Sequence, residues 1–187
     1  MLYLSYMDNY QQIADSETIN QSIEALATHI ISDSTEQKPV FVALLRGAAP
    51  FASKLMFEIT RQAPKFHPEI DYMMVSTYGD GRTGGTPQVI TDLAPTTDIA
   101  GRQVIILDDV LDKGITADFV IRHLAGKAAG NVKLAVLVDK QTERIKPISA
   151  DYACLNVADV WLAGMGMDDS ATAPEAYRWS EAVYQMN

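Results

Sequence analysis

The stretch of sequence that decides the fold is Val104-Ile-Ile-Leu-Asp-Asp-Val-Leu-Asp-Lys-Gly-Ile-Thr116. Its apolar start predicts a strand that is buried on both faces of a parallel sheet. The strand leads to two adjacent carboxylates, Asp108 and Asp109, and a turn then opens a helix. In an open α/β sheet, ligands bind beyond the carboxyl ends of the strands. We therefore expect a ligand site at this edge.

The residues of this stretch favour a sugar phosphate as the ligand. Two neighbouring carboxylates repel each other and are costly to desolvate without a partner, which a sugar diol, a metal ion or both would supply. Gly114 allows close backbone approach or a positive φ. Thr116 is suited to cap the helix and to donate its hydroxyl, and free N–H groups at a helix start bind phosphate. Solvated acids before a capped helix are the alternative, which the Asp-x-Gly-x-Thr turn disfavours.

Two common nucleotide-binding motifs are absent from the sequence. No Gly-x-x-x-x-Gly-Lys-Ser/Thr loop occurs anywhere in the chain. The Gly-x-Gly-x-x-Gly of residues 79–84 follows a predicted strand but leads to another predicted strand instead of a helix, so it is not the dinucleotide-binding motif.

Strands and helices alternate on both sides of this stretch, which predicts an α/β domain with a mainly parallel central sheet flanked by helices. Thr18 and Gln21 suit a capping box at the start of the first helix, and Pro50 suits the start of the second. Gly130 is expected to end the third helix. The predicted strands are 40–45, 70–78, 89–93, 104–107 and 132–138, and the predicted helices begin near 16–18, near 50 and at 116.

Polar residues lie at the end of, or directly after, four of the predicted strands. Because the carboxyl ends of parallel strands meet at one edge of a sheet, we expect these residues to converge on one site. They are Arg46-Gly47, Thr77-Tyr78, Asp108-Asp109 and Asp139-Lys140.

Composition limits the class of protein. The 187 residues suit one domain, and a net charge of -9 argues against a nucleic-acid partner. The only cysteine, Cys154, lies in an apolar run and is expected to be a buried small hydrophobe. The first residues lack the pattern of a signal peptide, and no apolar run approaches the roughly 20 residues of a membrane span. We expect a cytoplasmic protein with no membrane partner.

The segment from Asp108 to Thr116 resembles the signature by which type I phosphoribosyltransferases bind phosphoribosyl pyrophosphate (PRPP). Three further segments resemble the hypoxanthine-guanine members of that family, in the same order along the chain: Val75-Ser-Thr-Tyr-Gly-Asp-Gly81, Val138-Asp-Lys140 and Trp161-Leu-Ala-Gly-Met-Gly-Met-Asp168. The resemblance implies the type I fold as a single domain of residues 1–187. Its core would span about 16–146, and a small hood would be built from about 1–15 and 147–187.

The resemblance also implies a purine salvage enzyme that transfers the phosphoribosyl group of PRPP to hypoxanthine or guanine. Asp112 would be the general base. Asp108 and Asp109 would hold the ribose hydroxyls, directly or through Mg²⁺. A cis peptide is implied at Leu45-Arg46. The other residues implied in PRPP binding are Arg46, Gly47, Thr77, Tyr78, Lys113, Gly114, Ile115, Thr116 and, less directly, Arg178.

The purine would be bound by a second group of residues. Lys140 would donate to the oxygen at purine C6, Trp161 would stack on the base, and Leu162 would offer backbone groups. Asp168 would lie at this side of the site and help to hold Mg²⁺. Each residue has a simpler alternative, such as a surface lysine, a core tryptophan or a helix cap.

Some features depart from the family pattern or leave alternatives open. Lys113 stands where the family usually has a small Ser or Thr, and Arg46 stands where many members have Lys or an uncharged residue. A glycine-rich loop, Gly79 to Gly85, would close over the site. A PRPP-binding regulatory protein, or a transferase for another base such as xanthine, remains an alternative. The family implies a homodimer or a homotetramer.

Overall fold

The computed structural model describes residues 10–34, 38–78, 86–168, 175 and 177–186. These residues form three helices and nine strands. The predicted glycine loop at 79–85 lies outside them. In chain order the elements are β1 (Tyr10–Ala14), α1 (Ser16–Asp33), β2 (Val40–Leu45), α2 (Ala49–Gln62), β3 (Glu69–Tyr78), β4 (Thr86–Thr91), β5 (Gln103–Leu111), α3 (Ile115–Gly126), β6 (Asn131–Gln141), β7 (Tyr152–Ala158), β8 (Trp161–Ala163) and β9 (Val183–Met186).

Six strands form the central sheet in the order β4-β3-β2-β5-β6-β7. Every neighbouring pair is parallel except β3 and β4, which are antiparallel. The prediction of an α/β domain with a mainly parallel sheet is therefore confirmed. The strand β5, which contains Asp108 and Asp109, lies in the interior of the sheet with its first five residues buried.

Alternate residues of the central strands pack against opposite layers. Phe41 and Ile105 belong to the hydrophobic cluster that contains α1 and α2. Val40 and Val104 belong to the cluster that contains the buried face of α3. Because side chains alternate between the two faces of a strand, a continuous apolar run buries both faces of the sheet. Helices on both sides complete the layered fold.

A smaller sheet combines the two ends of the described chain. Its order is β1-β9-β8, and both neighbouring pairs are antiparallel. Tyr10 pairs with Met186, and Met186 pairs with Trp161. The sheet therefore brings the N-terminal strand and the segment with Trp161 together. β7 also follows residue 147 in sequence, but it is the edge strand of the central sheet.

The helix α1 begins at Ser16, within the predicted range, but the predicted capping box of Thr18 and Gln21 is wrong. The N-cap is Asp15, whose Oδ1 accepts a hydrogen bond of 2.8 Å from the Thr18 backbone N–H. Thr18 lies inside the first turn, and Gln21 donates to the Glu17 side chain instead of closing a capping box.

The helix α3 begins within one residue of the predicted start, but its N-cap and its C-terminal end differ from the prediction. Gly114 is the N-cap, with φ 77°, and no side chain caps the helix. Thr116 lies within the first turn. The helix ends at Gly126, and Ala128 adopts a positive φ of 62°, so Gly130 does not end it. A Cβ at Gly130 would lie 2.4 Å from the Gly101 carbonyl oxygen, so close approach of two backbone segments requires this glycine.

None of the helices in the described residues is long and apolar enough to cross a membrane.

Candidate active site

Most of the predicted site residues line one pocket of about 680 Å³ at the carboxyl edge of the central sheet. The pocket lies between the turn after β5 and the segment that joins β7 to β8. Its described lining consists of residues 108–117, Lys140, residues 159–161 and Met186. Two distant parts of the sequence, the β5 stretch and the Trp161 segment, are therefore adjacent.

The acidic pair lies at the end of β5 and is partly buried. Burial, together with the charge of Asp109, raises the pKa of the Asp108 carboxyl well above its ordinary value. Burial also raises the pKa of the Asp109 carboxyl. The Asp109 N–H donates to Asp108 Oδ1 at 3.1 Å, and the Val110 N–H donates to Asp109 Oδ1 at 2.9 Å. This environment suits a ligand that brings a cation or hydroxyl donors.

Among the described residues, no group of three or more Asp, Glu, His or Cys side chains could by itself hold a metal ion. Asp168, which was predicted to help to hold Mg²⁺, is paired with Arg178. Two adjacent carboxylates nevertheless fit Mg²⁺, because this ion is often held by one or two carboxylates together with substrate oxygens and water.

The turn after β2 packs directly against the acidic pair. The Leu45-Arg46 peptide bond is cis, as the family resemblance implied. A Cβ placed on Gly47 would lie 1.8 Å from Asp109 Oδ2. Glycine at this position thus lets the backbone after Arg46 lie against the Asp109 carboxylate.

A second glycine fixes the other side of this turn. Gly166 has φ +102°, and a Cβ placed on it would lie 1.8 Å from the Gly47 carbonyl oxygen. The Gly166 N–H donates to the Arg178 carbonyl at 2.8 Å. The buried Arg178 guanidinium donates to the Gly166 carbonyl and pairs with Asp168 and with Glu175. Arg178 and Asp168 are therefore neighbours beside the Gly47 turn.

Replacing Gly166 with alanine should lower the free energy of unfolding by about 2 kcal/mol or more, because the new Cβ meets backbone and the positive φ strains an L residue. For a chain of this size each kcal/mol corresponds to roughly 2–4 °C in Tm. Gly126→Ala is the control, since a Cβ there meets nothing within 4 Å. Thermal unfolding that ranks the two variants equally would contradict the tight packing of Gly166 on Gly47.

Asp112 and Lys140 form an ion pair within the pocket. Lys140 Nζ donates to Asp112 Oδ2 at 3.2 Å, and the Lys140 side chain is only 8% exposed. The ammonium lies 6.0 Å from the centroid of the Trp161 ring. Asp112 Oδ1 and Trp161 Nε1 are buried and have no hydrogen-bond partner among the described residues. Asp112, Lys140 and Trp161, the residues predicted to contact a base, therefore lie together. Asp112 and Trp161 each keep a polar atom that is available to a ligand.

The turn between β5 and α3 exposes backbone donors to the pocket. The first N–H groups of a helix have no acceptor within the helix. Here they follow Gly114, whose position no side chain caps, and Ile115, Thr116 and Ala117 all line the pocket. A Cβ at Gly114 would lie 2.7 Å from the Lys146 carbonyl oxygen, so this turn also requires glycine. The geometry suits a phosphate group.

Lys113 reaches three polar side chains, and its Nζ lies 3.9 Å from Asp112 Oδ1. Its Nζ donates to Thr142 Oγ1 at 2.5 Å and to Asp159 Oδ2 at 3.2 Å. Thr142 directly follows β6 and Asp159 lies between β7 and β8, so both partners belong to other loops. The sequence reasoning did not consider either of them.

Arg144 is a second residue that the sequence reasoning missed. Its guanidinium donates to the carbonyl oxygens of Leu111, Asp112 and Lys140. It also pairs with the Asp139 carboxylate. It therefore ties the end of β5 and the turn after it, which carries Asp112, to the end of β6, which carries Lys140. No periodicity or motif points to Arg144; only its short distance in sequence from Asp139 and Lys140 is a signal.

Three other residues singled out from the sequence, and Cys154, do not line the described part of the pocket. Thr77 and Tyr78 end β3, but their side chains lie outside the described part of the chain. Leu162 is buried in β8 beside Trp161 and pairs with Gln185. Cys154 lies away from the pocket lining, and burial raises the pKa of its thiol to about 12, which fits the structural interpretation.

Comparisons with known proteins agree with this geometry. The family model of the phosphoribosyl transferase domain matches residues 9–170. The chain is 33% identical over 160 residues to a hypoxanthine-guanine phosphoribosyltransferase of Streptococcus pyogenes, which covers 84% of this chain and 85% of that protein. It is 33% identical over 153 residues to the enzyme of the same name from Streptococcus thermophilus, with 81% of each chain covered.

The fold is shared with solved structures. The crystal structure of a hypoxanthine phosphoribosyltransferase from Staphylococcus aureus superposes with a TM-score of 0.84 at 26% identity, and covers 98% of this chain and 95% of that one. Together with the family match, this confirms the type I fold that the sequence motifs implied. The chain belongs to the phosphoribosyl transferase domain family.

Proposed function

We propose that this chain transfers the 5-phosphoribosyl group of PRPP to a 6-oxopurine, hypoxanthine or guanine, and releases the nucleoside monophosphate and pyrophosphate. The observation that carries the proposal is the ion pair of Asp112 and Lys140, which lies in the same pocket as the acidic pair and the helix start. The names of the relatives point to the same bases.

The edge of a 6-oxopurine complements the ion pair. A ring N–H next to the C6 oxygen offers a donor and an acceptor side by side. Asp112 would accept from the ring N–H, and Lys140 would donate to the C6 oxygen, so each group exchanges its contact with the other for one with the base. Adenine presents an amino group at C6, which would leave Lys140 without an acceptor at a buried position. The site therefore favours 6-oxopurines over adenine.

PRPP would occupy the rest of the pocket. The N–H groups that begin α3 would bind the 5′-phosphate, and Asp108 and Asp109 would accept hydrogen bonds from the ribose hydroxyls. The Arg46-Gly47 turn would contact the pyrophosphate, with Arg178 and Asp168 beside it. Negative charge on the departing pyrophosphate would be neutralised by a bound Mg²⁺, which Asp108 and Asp109 would help to hold.

The protein's part in the reaction would be mainly positioning. The sugar carbon gains positive charge as pyrophosphate leaves, as in glycosyl transfer in general. Asp112 would remove the proton from the purine ring as the new bond forms, which is typically worth 10²–10⁴-fold. Orientation of the two substrates would supply a further large part of the rate.

A panel of bases tests the proposal. The chain would be incubated with PRPP, Mg²⁺ and, separately, hypoxanthine, guanine, xanthine, adenine and uracil, and nucleotides would be separated by chromatography. We expect products from hypoxanthine, guanine or both, and none from adenine or uracil. Product from xanthine alone would change the assigned base, and no product from any 6-oxopurine would refute the enzyme assignment.

The family resemblance further supports three finer proposals: Mg²⁺ as the metal, a cytoplasmic location, and a homodimer or homotetramer. Activity in the presence of EDTA would contradict the first. A monomer by light scattering at working concentration would contradict the third.

A further inference from the structure

Lys113 joins three separate loops at the rim of the pocket. It lies in the turn between β5 and α3, Thr142 directly follows β6, and Asp159 lies between β7 and β8. We call these three residues the latch. Lys113 Nζ donates to Thr142 Oγ1 at 2.5 Å, Thr142 Oγ1 donates to Asp159 Oδ2 at 2.7 Å, and Lys113 Nζ lies 3.2 Å from the same oxygen.

The directions of these hydrogen bonds are mutually compatible. A hydroxyl both accepts and donates, so Thr142 accepts from the ammonium and donates to the carboxylate. Hydrogen bonding to Thr142 and to Lys113 lowers the pKa of the Asp159 carboxyl below its ordinary value, which keeps the acceptor charged.

The latch connects the two halves of the proposed substrate pocket. On one side, Lys113 is the neighbour of Asp112 and Gly114 in the turn proposed to bind the 5′-phosphate. On the other side, Asp159 lies two residues before Trp161, and residues 159–161 all line the pocket. Holding Asp159 against Lys113 therefore fixes the wall that carries the stacking residue relative to the turn that carries the general base.

The shape of the turn does not depend on the Lys113 side chain. Its backbone carbonyl accepts hydrogen bonds from the Ile145 N–H at 3.0 Å and the Lys146 N–H at 3.1 Å. Gly114 fits closely against Lys146. The backbone donors that would bind phosphate should therefore keep their positions when the ammonium is removed.

We propose that Lys113 is a positioning residue for the purine subsite, acting through Thr142 and Asp159 to hold the β7–β8 segment over the base, rather than a phosphate ligand. The inference rests on the proposed function and refines it. It assigns the unusual lysine in the phosphate turn to recognition of the base.

Steady-state kinetics of Lys113→Met, Asp159→Asn and the double variant would test this role. We expect each single change to raise KM for the purine roughly two- to fivefold, the range for a partly exposed ion pair. KM for PRPP should stay within about twofold of wild type. The double variant should be much less impaired than the sum of the two single effects predicts, because both changes remove the contact between Lys113 and Asp159. Lys113→Arg, which keeps the cation, should restore much of the purine affinity.

Lys65→Met is the matched control. It removes the same charge from an exposed lysine beyond the end of α2, and Lys65 does not line the pocket. Thermal unfolding of each variant checks that the fold is intact.

Three results would overturn the proposal: a rise in KM for PRPP with purine KM unchanged, additive effects of Lys113→Met and Asp159→Asn, or an Asp159→Asn variant indistinguishable from wild type. Failure of the proposed function would look different, because wild type itself would then form no nucleotide with any base.

Discussion

Replacing Asp112 with asparagine is expected to lower kcat at least tenfold and to leave PRPP binding largely intact. Asparagine keeps an oxygen that can accept from Lys140 at the present 3.2 Å, but it cannot take a proton from the base. The expected size follows from the usual contribution of general-base catalysis. Turnover would be measured at saturating hypoxanthine and PRPP, and PRPP affinity by calorimetry.

Asp118→Asn is the matched control for this experiment. Asp118 lies in α3, six residues after Asp112, and its carboxylate pairs with Arg122 rather than lining the pocket. It should retain wild-type turnover. If Asp112→Asn retained it as well, Asp112 would have no part in proton transfer.

Replacing Lys140 with methionine should reduce kcat/KM for hypoxanthine by roughly 10- to 150-fold, because a hydrogen bond to a charged group contributes about 1.5–3 kcal/mol. Methionine has a similar length but no donor for the C6 oxygen. The Asp112 carboxylate would also lose the cation that now lies beside it. The loss should appear in the purine parameters, while KM for PRPP changes little.

The control here is Lys133→Met on the same strand. Lys133 lies near the start of β6, where its Nζ donates to the Tyr152 hydroxyl at 2.7 Å. That change should affect thermal stability more than purine KM. If Lys140→Met and wild type had equal kcat/KM for hypoxanthine, Lys140 would not bind the C6 oxygen.

The β5 stretch shows why much of the fold was predictable. Its apolar run, acidic pair, glycine and helix start each have a local physical reason, and they occur together in sequence. The observed strand extends to Leu111, so that the acidic pair lies within β5 and not after it. Motif order was also sufficient to indicate the family.

The smaller sheet was not predictable in the same way. β8 has three residues and β9 has four, and Tyr10 pairs with Met186 across almost the whole length of the chain. Such short strands have little periodicity, and their pairing is set by tertiary contacts. The predicted caps Thr18 and Thr116 were wrong by two or three residues, because sequence patterns locate helix ends only approximately. The observed N-caps are Asp15 and Gly114.

The direction of individual side chains could not be predicted from the sequence either. The sequence placed Lys113 in the phosphate turn, but nothing local indicated that its ammonium would reach Thr142 and Asp159. Arg144 was missed for the same reason, since its contacts are with backbone carbonyls at the ends of two strands.

The central claim is that this pocket transfers a phosphoribosyl group from PRPP to a 6-oxopurine. The most direct test follows pyrophosphate and nucleotide over time in one reaction of purified protein, PRPP, hypoxanthine and Mg²⁺. We expect equimolar inosine monophosphate and pyrophosphate, with almost no pyrophosphate released when the base is omitted. Absence of nucleotide, or pyrophosphate release at the same rate without the base, would contradict the account.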